Sequence, residues 1–165
     1  MKIKTDYEGS LVLGEGKLSD NLMLTVISLY GLLETIGDTA YSITTLHRML
    51  SDLTGILNGH IGGKKKIVLG GDFNASIQFD NMSGGRSHQI FFQRMDDFKL
   101  LNCFTPFYSD FVQTHCHFRS DKPWQNDYFF ISKSIEKHLK SCSVIENDNV
   151  RRFSGHNPVE INLDF

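Results

Sequence analysis

Ile67-Val68-Leu69-Gly70-Gly71-Asp72-Phe73-Asn74 is a short apolar run that ends in two glycines and then presents an acid and an amide. An apolar run of this length, bounded by glycine, reads as a buried strand. Its end is a place where another backbone can approach closely, because glycine carries no Cβ. Two further stretches are built alike. Gln125-Asn126-Asp127-Tyr128-Phe129-Phe130-Ile131 opens a strand with an acid, and Ser154-Gly155-His156-Asn157-Pro158 sets a histidine on a loop before the final strand. That loop follows Arg151-Arg152-Phe153, and Pro158 restricts Asn157 to an extended conformation. Three strand ends, each offering a polar group, can assemble one active site from distant sequence. Asp72 and Asn74 are read as projecting into one cleft, the carboxylate taking a proton from water and the amide orienting it. Asp127 is placed to fix the His156 tautomer and to raise its pKa, leaving a cation near a phosphate.

Outward from these motifs, Ser10–Leu13 reads as a short strand, and Leu22–Leu29 and Lys66–Gly70 as buried ones. Ile43, Leu46, Met49, Leu50, Leu53, Ile56 and Leu57 fall on one helical face, predicting a helix over Tyr41–Asn58. Asp38 or Thr39 suits its start and Gly59 its stop. Residues 31–39 and 80–87 read as loops, with a second helix from Ser87 to Lys99 burying Ile90, Phe91, Met95 and Phe98. Strands are expected near Gln113–Phe118, Asp127–Ile131, Ser141–Ile145 and Val159–Leu163, with a short helix over Lys133–Lys140. Strands interleaved with two helices indicate an α/β arrangement.

A chain of 165 residues fits one domain, 1–165, and thirteen phenylalanines supply large buried surface. The net charge of −2 gives no global basic field for nucleic acid. Cys103, Cys116 and Cys142 are odd in number and widely spaced, which points to a reducing, cytoplasmic setting. No apolar run approaches membrane-spanning length.

The ordered set Gly71-Asp72-Phe73-Asn74, Asn126-Asp127-Tyr128-Phe129 and Ser154-Gly155-His156-Asn157-Pro158 resembles the endonuclease/exonuclease/phosphatase superfamily. Thr25-Val26-Ile27-Ser28-Leu29-Tyr30-Gly31 is similar to the family strand that ends in an active-site tyrosine, so the likeness runs from about Leu22 to the C-terminus. The resemblance implies a deoxyribonuclease I-like fold, a sandwich of two β-sheets flanked by helices. It implies hydrolysis of phosphate esters, usually with Mg²⁺. In that scheme Asp72 activates or positions water, Asn74 orients that acid or binds phosphate, and Tyr30 donates to a phosphate oxygen. His156 stabilises phosphoryl charge with Asp127 as its partner. Nucleic acid or a small phosphate ester, down to a lipid head group, is the implied ligand.

Two departures bear on activity. Gly155 stands where the family has an aspartate that helps hold metal. The family's early asparagine and glutamate have no counterpart, and Glu8 and Glu15 are not in the matching context. The metal ligands are therefore unassigned and Mg²⁺ binding is expected to be weak. The chain is read as lacking the family's N-terminal part. That predicts an exposed sheet edge or face, met by a second copy or by a separate N-terminal segment, or else a chain trimmed to a smaller stable core. The competing reading is a non-catalytic remnant that binds a phosphate-bearing ligand or a protein. His115-Cys116-His117, Lys64-Lys65-Lys66, Trp124 and Glu34 are secondary candidates, better read as ordinary strand, turn, rim and loop residues.

Overall fold

The computed structural model describes residues 4–36, 39–117 and 121–165. Its strands are β1 (Leu11–Ser19), β2 (Leu22–Leu29), β3 (Glu34–Ile36), β4 (Thr39–Tyr41), β5 (Lys65–Asp72), β6 (Leu100–Asn102), β7 (Asp127–Ser132), β8 (Leu139–Val144) and β9 (Val159–Leu163). Its α-helices are α1 (Ile43–Asp52), α2 (Thr54–Gly59), α3 (Ile77–Ser83), α4 (Ser87–Asp97) and α5 (Asp148–Arg151). The motif strand β5 is central in a five-stranded sheet ordered β1-β2-β5-β7-β6, and β8 pairs β9 in a separate sheet. With β3 and β4 as a further two-stranded pair, this is the mixed α/β architecture, a large and a small sheet with helices, that the resemblance implies.

Alternation along the strands gives each sheet face its own partners. Leu11, Ile27, Leu29, Ile67, Leu69 and Phe130 are buried with Leu46, Met49 and Leu50 of α1 and with Phe91 and Met95 of α4. The second sheet joins the same core through Cys142, Val144, Val159, Ile161 and Leu163. Among the described residues the edge strand β1 pairs with β2 alone, and Val12 and Leu18 of β1 and Val26 of β2 are about half exposed. No helix among the described residues is long and apolar enough to cross a membrane.

Several elements differ from the sequence reading. The predicted helix over 41–58 is two helices, broken at Leu53, and it starts at Ile43. Thr54 Oγ1 bonds back to Leu50 O at the break, a competition that bends helices. Thr39 belongs to β4, and Asp38 lies outside the described residues. The expected loop at 31–39 holds β3 and the start of β4. The expected loop at 80–87 begins inside α3. Ser76 caps that helix by accepting from Gln78 N–H, and Gly84 ends it at φ 70°. Ile90 is 47% exposed instead of buried. The strand expected over Gln113–Phe118 reduces to single bridges from His115 to Trp124 and His156, with Phe118 outside the described residues. The segment Lys133–His138 is a 3-10 helix.

One buried histidine ties three elements together. His60 Nε2 donates to Phe98 O (2.7 Å) and Nδ1 meets Ser132 Oγ (2.9 Å), which also accepts from Ile67 N–H (2.8 Å). Burial holds its pKa below the ordinary histidine value of 6.5. The unfolded chain then binds a proton at higher pH than the folded one. This stability contribution is complete above about pH 6.5 and is lost as pH falls through the folded-state value. His88 and His115 act in the same direction and His156 in the opposite one. Urea titrations from pH 7.5 down to 5 should show falling stability. His60→Gln should start less stable and lose less over that range; an unchanged slope would contradict this role.

Candidate active site

Antiparallel register places Gly70 opposite Phe129, Gly71 opposite Tyr128 and Asp72 opposite Asp127. Opposed residues share a sheet face, so the Asp72 and Asp127 carboxylates stand side by side where the two strands meet. The glycines make that end possible. Gly71 has φ 145°, and a Cβ there would lie 2.0 Å from Leu29 O. A Cβ on Gly70 would fall 2.4 Å from the Phe129 ring, and one on Gly31 would fall 2.0 Å from Phe73 O. The β2 end is thus pinched against the β5 end, with Gly31 N–H donating to Asp72 O (2.8 Å). Phe73 is fully buried, with ring centroids 5.5–6.0 Å from Tyr128, Phe130 and Phe91. It is the wedge that fixes the loop after Asp72.

His156 completes the group. Its Nδ1 lies 2.9 Å from Asp127 Oδ2 and its Nε2 lies 3.9 Å from Asp72 Oδ2. The first is a hydrogen bond. The second is too long for one, so both atoms can meet a third group. Asp127's hydrogen bond is the main reason that the His156 pKa lies above the ordinary histidine value; burial opposes it, and the charges of Asp127 and Asp72 add to it. Burial pushes the Asp72 carboxyl up, and Asp127's charge adds to this, against the bond from Asn74 N–H and the pull of His156. The arrangement pairs a cation that can face phosphoryl oxygens with a carboxylate of increased basicity.

Asp72, Asp127 and His156 line one cleft of about 350 Å³ with Val150, Ser154 and Pro158. Asn74 is not in its wall. Its backbone N–H holds Asp72 Oδ1 (2.8 Å), while its side-chain Nδ2 donates to Gly31 O (3.0 Å). With φ 47°, it borders a neighbouring cavity of about 590 Å³ shared with His115, Trp124 and Asn126. Tyr30 stands at the end of β2, 45% exposed and outside the cleft wall. Glu34 pairs with Arg48 (3.1 Å) and Glu15 with Lys65 (2.9 Å). Lys65 opens β5, about 23 Å of strand from Asp72, with Lys64 just before it and Lys66 just after. Trp124 stacks on Phe79 with centroids 4.8 Å apart.

Two residues beyond the motif set shape the site. Thr114 Oγ1 accepts from the N–H groups of Asn126 (2.9 Å) and Asp127 (3.0 Å), and Thr114 O accepts from Asn157 N–H (2.8 Å). One residue therefore positions both the acid and the histidine loop. The His115 ring stacks on His156 at 4.4 Å. Its Nδ1 lies 3.3 Å from Asn126 Nδ2, a donor, so Nδ1 accepts. Burial, followed by the His156 charge, holds the His115 pKa below the ordinary value.

The structure is similar to an AP endonuclease from Leishmania major, with TM-score 0.75 and 15% identity over 97% of this chain and 56% of that one. It is also similar to a 3′-5′ exonuclease from Neisseria meningitidis, with TM-score 0.66 and 18% identity over 94% and 71% of the two chains. The chain has the fold of the endonuclease/exonuclease/phosphatase superfamily. A third structure with this fold is a Neisseria 3′ phosphatase bound to a product DNA hairpin, with TM-score 0.65 and 17% identity over 95% and 71% of the two chains. The chain spans little more than half of the Leishmania protein. No family model matches the sequence, and no curated protein matches it.

Two outcomes follow from the geometry. Replacing Asp127 with Asn removes the main cause of the raised His156 pKa, so an NMR titration of the imidazole should show that value fall; no change would contradict the assigned bond. Replacing Gly71 with Ala puts a Cβ onto Leu29 O. It should destabilise the fold by about 3 kcal/mol or more in denaturant titrations, and a near-neutral effect would contradict the close approach.

Proposed function

We propose that the chain is a phosphoesterase of nucleic-acid type, with Asp72 as water-handling base and His156 as phosphate-facing cation. The observation that carries this reading is the array Asp72, His156, Asp127, with His156 bonded to one acid and facing the other across 3.9 Å. Asp72 takes a proton from the attacking water, and His156 Nε2 donates to the oxygen on which charge develops. Asp127 holds the imidazole in place and favours its charged form. Asn74 steadies Asp72 through its backbone. Tyr30 donates to a phosphate oxygen from the β2 end.

A divalent ion enters this scheme weakly. Ligand atoms of Asp72, Asp127 and His156 lie within 4.8 Å of one another. The two carboxylates supply the hard oxygen donors that Mg²⁺ favours. When bound it would neutralise charge on the phosphoryl oxygens. Those same carboxylates already serve His156, so metal and imidazolium compete, and low affinity and low turnover are expected. This competition, with glycine at 155, favours as second reading a remnant that binds phosphate esters without cleaving them.

The test is Mg²⁺-dependent hydrolysis of DNA oligonucleotides and a fluorogenic phosphodiester. A Cβ at Gly155 would meet Cys116 O at 3.4 Å, an ordinary contact, so Gly155→Asp adds a carboxylate without displacing backbone. It should tighten Mg²⁺ binding in calorimetry and raise hydrolysis. Asp72→Asn or His156→Ala should lower turnover by about 10²–10³. Hydrolysis that survives Asp72→Asn would overturn the mechanism. A folded, metal-binding Gly155→Asp protein inert toward every phosphate ester tried would establish the remnant reading instead.

A further inference from the structure

The loop that carries His156 also carries an aromatic ring with nothing packed over it. Phe153 is 90% exposed, the highest value for any large apolar side chain among the described residues. Its backbone is held firmly. Phe153 N–H and Ser154 N–H both donate to Val150 O (3.0 and 2.9 Å), His156 N–H donates to Ser154 Oγ (2.9 Å), and Gly155 O accepts from Cys116 N–H (2.7 Å). A ring on so tightly bonded a turn is presented outward at the rim of the cleft, three residues from the phosphate-facing imidazole.

Its surroundings decide what such a ring can contact. Arg152, Ser154 and Gly155 beside it are exposed. A lone ring in a polar setting lacks the contiguous apolar area of a protein-docking patch. The flanking charges nearly cancel: Arg151 and Arg152 against Glu146 and Asp148. Attraction to phosphate is therefore local, and Arg151 keeps a buried Nη1 with no hydrogen-bond partner among the described residues. An aromatic face next in sequence to the exposed Arg152, on the loop that carries His156, suits a nucleobase, because every base offers a π-face for stacking.

We propose that Phe153 stacks on an unpaired nucleobase adjoining the phosphate held at His156, with Arg152 meeting a neighbouring phosphate. This rests on the phosphoesterase reading and adds to it a preference for single-stranded or frayed nucleic acid. The contact is base-tolerant, since stacking reads no hydrogen-bonding edge.

The test compares two fluorescein-labelled DNA 12-mers by anisotropy: one with ordinary bases, and one whose residues are all abasic tetrahydrofuran analogues. The wild-type chain should bind the base-bearing strand about 5- to 100-fold more tightly. Phe153→Ala should bring it to the level of the abasic strand, with an unchanged slope of log Kd against log salt. Phe153→Trp should restore the preference and show fluorescence quenching. Arg152→Ala should weaken both strands and reduce the salt slope by about 0.7. Phe153 is almost fully exposed, so its replacement leaves the fold intact, which circular dichroism checks. Equal binding of both strands by wild type, or a preference that survives Phe153→Ala, overturns the stacking role while leaving the phosphate site standing. Binding of neither strand overturns both readings.

Discussion

The structure turns on two carboxylates placed opposite each other across a β-ladder. Asp72 and Asp127 are register partners on one face, and like charges in that arrangement repel. His156 relieves the repulsion by bonding Asp127 and facing Asp72. The imidazole is shifted toward its charged form, chiefly by its bond to Asp127, and the Asp72 carboxyl toward its proton-bearing form, chiefly by burial with the charge of Asp127 added. An arrangement costly for stability becomes useful for moving a proton and meeting an anion. It also fixes the pairing of β5 and β7, because a one-residue slip would send one carboxylate to the opposite face.

Holding that pair takes support from several directions. Phe73 plugs the aromatic core directly behind Asp72. Gly31 and Gly71 let the β2 and β5 ends close to distances that no side chain would allow. Thr114 ties the Asp127 strand to the histidine loop through three hydrogen bonds. Asp80, buried in the first turn of α3, accepts from the N–H groups of His88 and Gln89 and so fixes the start of α4. Phe91 and Met95 of that helix lie in the core that Phe73 enters. The supports of the site are backbone bonds and buried rings, with few exposed ion pairs among them.

Much of this was legible in sequence because each motif is a strand end with a chemical reason to be there. Leu22–Leu29 and Val159–Leu163 coincide with β2 and β9, and the apolar stripe from Ile43 marks α1. The losses have physical causes. The short strand expected over Ser10–Leu13 runs on to Ser19 through Gly14 and Gly16, where a Cβ would have met nothing within 4 Å. The α3 helix shows itself through Ser76 and Gly84 at its ends, with almost no apolar stripe between them. His115 acts through stacking, a tertiary contact that no spacing announces. Asn74 was assigned to the cleft by its neighbour Asp72, but a left-handed φ turns its side chain toward Gly31.

The central claim is that the array facing Asp72 receives a phosphate ester. Its most direct measurement is an NMR titration of the ¹⁵N-labelled histidine side chains with methyl phosphate. The account predicts a saturable shift of His156 Nε2, with a smaller one at the stacked His115 and none at buried His60. A folded chain whose His156 resonances stay fixed at saturating ligand, or whose largest shift lies at a histidine other than His156, would contradict it.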